Sequence, residues 1–252
     1  MSNEEEIASW ERLYYTKGEQ RPELFYIIYG DLDEGSFKIS PSKHRTECIP
    51  EGINLYLHKN TEIDTLKWPF IDDPIRSIIY DSNPQLFDKA KSSKSCITIR
   101  GKVQNYSTLN YLRDIVGLIM ALFENGAVAV FDPCTLSLWS KNDWQNSLYD
   151  TQNTKLENHI AFIGSLENEK IWLHTRGMIK FGRRDISIPD VELAQKDAML
   201  GLAKKYVKKQ IDGEIIQHRQ LIKLIGKEGF LKCYNKGSMD DPDFNNFHIE
   251  IK

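Results

Sequence analysis

The stretch WLHTRGMIKFGRRDISIPD, Trp172 to Asp190, carries a set of side chains able to do chemistry. A histidine, a hydroxyl and three arginines fall between His174 and Arg184, punctuated by Gly177 and Gly182. Read as a strand, IWLHT turns Ile171, Leu173 and Thr175 to one side and Trp172, His174 and Arg176 to the other, because strand side chains alternate. MIKFG is then a single turn with Met178 and Phe181 as apolar anchors, and Gly182 supplies a positive φ. A histidine beside Arg176, Lys180, Arg183 and Arg184 suits a phosphate or carboxylate, since guanidinium binds such groups bidentately. The ligand-binding candidates are therefore His174, Arg176, Arg183 and Arg184. The competing reading is structural: Arg184 with Asp185, and the other arginines with nearby acids, form ion pairs while the glycines serve turn geometry.

A second candidate is FDPCT, Phe131 to Thr135, at the end of an apolar strand. Strand ends are where open sheets place functional groups, which draws attention to Asp132 and Cys134. A cysteine nucleophile needs a base, and His159 or His174 would serve if the fold brought either close. A lone cysteine after proline is more commonly a small buried residue. The catalytic alternative for the chain pairs His174 as acid or base with Asp132 as its orienting carboxylate.

Two acidic loops, DLDEG (Asp31 to Gly35) and MDDPDFNN (Met239 to Asn246), lack the alternating acids, the glycine and the closing glutamate of a calcium loop, and read as turns. Residues 196–236 hold ten Lys or Arg against four acids, without the aromatic interleaving of single-strand binders, and read as a solvated face rather than a nucleic-acid surface. The phosphate-binding loop, the dinucleotide fingerprint, the nucleophile elbow and the H-E-x-x-H metal motif are all absent. The six histidines are nowhere spaced for a metal, and no cofactor is indicated.

The bulk of the chain agrees with a soluble protein of 252 residues: 40% hydrophobic, 27% charged, net charge -3. Nothing global draws it to nucleic acid or an anionic membrane. Cys48, Cys96, Cys134 and Cys233 are far apart, and the acidic start MSNEEEIASWERLYY has no apolar leader, so the chain reads as cytoplasmic with reduced thiols. Its apolar run GLIMALF is too short to span a membrane.

These groups must be positioned by elements that the patterning predicts. A helix is expected from Ser2 or Asn3 to about Lys17, carrying the stripe Ile7, Trp10, Leu13, Tyr14. ELFYIIYGD is a strand, DLDEGS its turn, FKIS a short return and INLYLHK another strand. Residues 68–95 are broken by three prolines and end in DKAKSSKS, a polar linker, which sets a subdomain boundary near Ser92. CITIRGKV is a strand. Asn105 or Ser107 caps a helix over about 107–124 that is apolar nearly all round and stops at Asn125-Gly126. AVAVFD and TLSLWS are strands, NDWQNSLYD a short helix, and residues 159–177 two strands joined at 167–169. Pro189 with Asp190 and Glu192 starts a helix running to about 210, and QLIKLIG, GFLKCYN and NFHIEIK close the chain as strands. The fold class is α+β, a mixed or antiparallel sheet packed on the buried 107–124 helix and the 189–210 helix. It forms an N-terminal subdomain over 1–92 and a main domain over 93–252, or a single domain throughout.

Residues 96–210, on the strength of the buried helix leading into AVAVFD and of the pattern Gly177-x-x-x-Phe181-Gly182-Arg183-x-Asp185 before a helix, resemble some bacterial families of uncharacterised domains. The resemblance implies an α+β fold and a bacterial cytoplasmic protein, and carries no catalytic residue with it. The functional expectation is a non-enzymatic, partner-binding protein of the bacterial immunity or regulator type, recognising a protein rather than nucleic acid or membrane. The alternative is an enzyme acting on a phosphate- or carboxylate-bearing substrate through His174, Arg176 and Arg183.

Overall fold

A computed structural model describes residues 7–18, 20–32, 39–59, 75–150, 155–223 and 229–252. The chain divides into two compact units, one of residues 1–11 and 23–155, the other of residues 12–22 and 156–252.

The first unit is built on a five-stranded antiparallel sheet in the order β2-β3-β1-β4-β5. Its elements run β1 (Glu23–Gly30), α1 (Pro41–His44), β2 (Ile53–Lys59), α2 (Ile75–Ser82), α3 (Pro84–Lys91), β3 (Ser95–Lys102), α4 (Asn110–Glu124), β4 (Ala127–Asp132), β5 (Ser137–Trp139) and α5 (Lys141–Trp144), the last followed by a π-helical turn to Tyr149. The central strand β1 is buried from Tyr26 to Gly30, because both of its faces are covered. On one face Ile27, Tyr29, Cys96, Ala129 and Phe131 pack against Leu86, Phe87 and Ala90 of α3 and Ile79 of α2. On the other, Tyr26 meets Trp144 edge to face, and the Trp144 indole donates to the Val116 carbonyl of α4.

Helix α4 is buried from Tyr111 through Phe123, as its all-round apolar pattern requires. Gly117 lets α1 lie directly on it: a Cβ there would come within 2.0 Å of the His44 carbonyl oxygen. The two charged residues in the buried span satisfy one another. Arg113 donates to Asp114 and to Glu47, and to the carbonyl of Ala8.

The second unit is a six-stranded mixed sheet in the order β6-β7-β8-β11-β10-β9. The strands are β6 (Ala161–Glu167), β7 (Lys170–Arg176), β8 (Asp185–Val191), β9 (Leu221–Lys223), β10 (Phe230–Lys236) and β11 (His248–Ile251), with helix α6 (Lys196–Ile211) between β8 and β9. Every neighbouring pair is antiparallel except β8 with β11. Ile171, Leu173, Ile186, Ile188, Ile249 and Ile251 are buried with Met199, Leu202, Ala203, Tyr206 and Val207 of α6. Among the described residues no helix is long and apolar enough to cross a membrane.

The α+β class, the buried central helix and the long later helix hold. Several expected details do not. Residues 7–17 form no helix; their backbone is taken up elsewhere, Trp10 bonding with Asn110 and Leu109, and Tyr14 and Thr16 donating to the carbonyls of Asp212 and Gly213. Helix α4 starts at Asn110, and neither Asn105 nor Ser107 caps it. DKAK is the end of α3 rather than a linker, because Asn83 caps that helix on Leu86 N and Pro84 opens it. The expected boundary near Ser92 falls inside the first unit, whose sheet interleaves strands from both sides of it. Pro189 and Asp190 belong to β8, at a bulge opposite β7 where a missing N–H costs no ladder bond, and α6 begins only at Lys196. The turn of 31–36 and the start of FKIS lie largely outside the described residues; Ile39 and Ser40 are not strand.

Candidate functional site: the His174 face of the second sheet

Alternation along β7 puts Trp172, His174 and Arg176 on the sheet face away from α6, as the pattern predicts. His174 is buried, its ring stacked on the Trp172 indole at 4.2 Å between centroids. Phe244, on the loop between β10 and β11, closes against His174 at 5.3 Å and stacks on His248 at 4.1 Å. Trp172 is anchored by a bond from its Nε1 to Ser187 Oγ. Arg176 fastens the loop, donating to the carbonyls of Pro242 and Asp243. Burial, reinforced by the Arg176 cation, lowers the pKa of His174 from 6.5 to about 4. The imidazole is therefore neutral at physiological pH, and its buried Nδ1 has no hydrogen-bond partner.

Of the other cations of the motif, Arg183 is spent on the backbone. Arg183 donates to the carbonyls of Thr16, Gly182, Gly213 and Glu214, which ties the turn to residues 12–22 and to the end of α6. Lys180 is fully buried in the 3-10 turn, where its charge adds to burial in pushing the His159 pKa down. Arg184 lays its guanidinium 5.1 Å from the centroid of Phe247. Asp185, fully buried, accepts from Thr175 Oγ1, Met178 N and Asn246 Nδ2. Burial still raises its carboxyl to about 6 against those three bonds. Gly182 sits at φ +64 with the Gln20 carbonyl oxygen 2.9 Å from where a Cβ would stand.

No family model, no curated protein and no solved structure matches this chain.

His174 and Arg176 do lie side by side and meet the same loop, whereas Arg183 turns to carbonyls and Arg184 to Phe247. Asp132 and Cys134 belong to the first unit and His159 and His174 to the second. Asp132 folds back on its own turn, its Oδ1 accepting from Cys134 N and its carbonyl from Thr135 N. That is the chemistry of an Asx turn after a strand. The acidic loop 239–246 is likewise a turn, Asp241 accepting from the backbone of Asp243, Phe244 and Asn245. Among the described residues no group of three or more His, Cys, Asp or Glu is placed to hold a metal ion.

Two features were outside the sequence reading. A small, partly open cavity is bordered by Gln20, Arg184, Gln210, Gln217 and Asn235, whose buried Oδ1 has no hydrogen-bond partner. On the sheet face that also carries His174, β10 presents Phe230, Lys232 and Tyr234 while Cys233 points inward. Register places Phe230 opposite Lys223 and Lys232 opposite Leu221, and backbone bonds pair Lys232 with Lys252. Tyr234 lies within 5.9 Å of the Lys232 ammonium and 5.4 Å of that of Lys252. The period-two pattern of GFLKCYN carried this signal: alternate residues are apolar or aromatic and basic, but only pairing with β9 and β11 gathers them.

Proposed function

We propose that this chain is a non-enzymatic binding protein of the immunity or regulator kind, and that the outer face of β9, β10 and the end of β11 receives a protein partner. One observation carries the reading. Leu221 and Phe230 stand 60% and 62% exposed on neighbouring strands, ringed by Lys223, Lys232 and Lys252. Apolar anchors inside a cationic rim suit a partner surface that is apolar at its centre and acidic around it. The charge of the second unit points the same way, with 19 Lys or Arg against 15 Asp or Glu. The arrangement of the His174 motif supports the non-enzymatic side, because Arg176 and Arg183 donate to carbonyls and a neutral His174 is packed between two aromatic rings.

A photo-reactive residue in place of Phe230, followed by mass spectrometry of the crosslinked species, would name the partner. The purified pair should then lose at least about tenfold in affinity in a Phe230→Ser, Lys232→Glu double variant, which is about 1.4 kcal/mol. Equal binding by the double variant, or crosslinks to nucleic acid alone, would sink the proposal.

A second reading, an enzyme or receptor for an anionic small molecule, draws on the cavity beside Arg184 rather than on His174. Arg184 would take the phosphate or carboxylate and Asn235 Oδ1 a donor of the ligand. Its test is a thermal-shift screen with phosphorylated metabolites; stabilisation abolished by Arg184→Met supports it, and no stabilisation by any of them removes it.

A further inference from the structure

Among the described residues β6 is an outer strand of the second sheet, and it is built as a pairing edge. Sheet edges in monomeric proteins are blunted by shortness, lysine, proline or a bulge. The opposite edge of the same sheet obeys: among its described residues β9 carries Lys223. Strand β6 has seven, AFIGSLE, in unbroken register with β7 from Ala161 opposite Arg176 to Glu167 opposite Lys170. It contains neither proline nor lysine, and its one charge is Glu167 at the turn. Leu166 is 71% exposed and Gly164 is exposed as well.

The direction of its free backbone groups follows from the turn. Asn168 and Glu169 both have positive φ, +48 and +67, the signature of a two-residue type I′ hairpin. Such a turn is closed by a hydrogen-bonded pair, here Glu167 with Lys170, and pairs alternate from there. Glu167, Ser165, Ile163 and Ala161 therefore bond inward to β7. Leu166, Gly164 and Phe162 turn their N–H and C=O groups outward.

We infer that β6 pairs with β6 of a second copy of this chain, antiparallel, about a two-fold axis through Gly164. That axis sets Gly164 against itself and Phe162 against the second copy's Leu166, and the reverse. All three outward residues then become hydrogen-bonded pairs, giving six N–H···O bonds across the axis. Two-fold axes through Phe162 or Leu166 would pair fewer of them. Phe162, Gly164 and Leu166 share one sheet face, so each exposed Leu166 gains an aromatic cross-strand neighbour while the glycines leave room between the two pairs. Glu167 falls opposite Ala161, so no like charges oppose. The contact is isologous and closes on itself, as a homodimer requires. This inference is independent of the partner face proposed above, which lies on β9 and β10 at the other edge.

Sedimentation equilibrium of the full chain across the micromolar range is the test. Wild type should show a reversible monomer–dimer equilibrium. Leu166→Lys, at a site already exposed, should weaken it about tenfold or more, without moving the melting temperature measured at a dilution where both proteins are monomeric. Gly164→Cys should give a disulfide dimer on mild oxidation, since hydrogen-bonded partners sit about 5.5 Å apart at Cα, inside the range a disulfide spans. Peptide mapping separates a 164–164 link from the four native cysteines. Monomer at every concentration overturns the inference, and so does a dimer that Leu166→Lys leaves intact with no 164–164 link.

Discussion

The imidazole of His174 lies against the indole of Trp172 with the ring planes only 27° apart, and Phe244 closes its remaining side. A ring so enclosed is difficult to charge. Its pKa of about 4 in the fold lies under the ordinary 6.5, so the unfolded chain binds this proton more readily. The stability that neutral His174 contributes is complete above pH 6.5 and drains away as the pH falls toward 4. His174→Phe keeps a ring in the stack and removes the proton. Denaturant unfolding at pH 7 and pH 5 should show wild type losing more stability than the variant over that interval. Parallel pH profiles for the two proteins would refute the assignment.

Arg176 holds the Phe244 loop through the carbonyls of Pro242 and Asp243. Arg176→Met keeps much of the side-chain volume but leaves both acceptors without their donor. Charge-assisted bonds of this kind are worth about 1.5–3 kcal/mol, so a loss of that order in unfolding free energy is expected. Amide exchange should accelerate across 239–246 and stay unchanged in the first unit. A variant as stable as wild type, with the same exchange, would mean that the loop is held by Phe244 stacking alone.

The elements were largely legible because their signals are local. β2 and β4 coincide with INLYLHK and AVAVFD, and the all-round apolar pattern of 107–124 marked the buried helix. Residues 7–17 misled because capping residues and an apolar stripe are shared by a helix and by a segment whose backbone is claimed by distant partners. Pro189 misled for a related reason: proline opens helices and also tolerates bulges, and only the register against β7 distinguishes the two. At the site, alternation predicted the shared face of His174 and Arg176. What the arginines bond to could not be read, since carbonyl acceptors carry no side-chain signature. Phe244 entered from a loop some 70 residues away along the chain, and His248 from β11, both beyond any spacing rule.

Asp185 supplies the opposite pH signature to His174. Its carboxyl is raised from 3.8 to about 6, so the stability it contributes is complete below pH 3.8 and is lost as the pH rises through 6. Asp185→Asn removes that titration. It also leaves one of three donors without an oxygen, because Thr175 and Met178 share Oδ1 and Asn246 uses Oδ2. Turning Asn246 over would break its bonds to the Arg183 carbonyl and to Gln20. The variant should therefore be destabilised by about 1–3 kcal/mol. The deficit relative to wild type should be larger at pH 4.5 than at pH 7.5, and a deficit that grows with pH would contradict the raised carboxyl.

Gly182 is where the strand-turn-strand of the motif depends on a single residue type. Its φ of +64 is left-handed, and a Cβ would stand 2.9 Å from the Gln20 carbonyl oxygen and 3.0 Å from Pro22 Cδ. Gly182→Ala thus adds a conformational cost of about 1 kcal/mol or more to a collision with backbone that cannot swing aside. The two effects act on the same turn that aims Arg183 at the carbonyls of Thr16 and Gly213, so residues 12–22 should loosen along with it. Limited proteolysis offers a direct reading: cleavage within 12–22 should quicken in Gly182→Ala and not in Gly201→Ala, where nothing lies within 4 Å of the new methyl. Equal cleavage rates in the two variants would show that the positive φ is not what holds the segment.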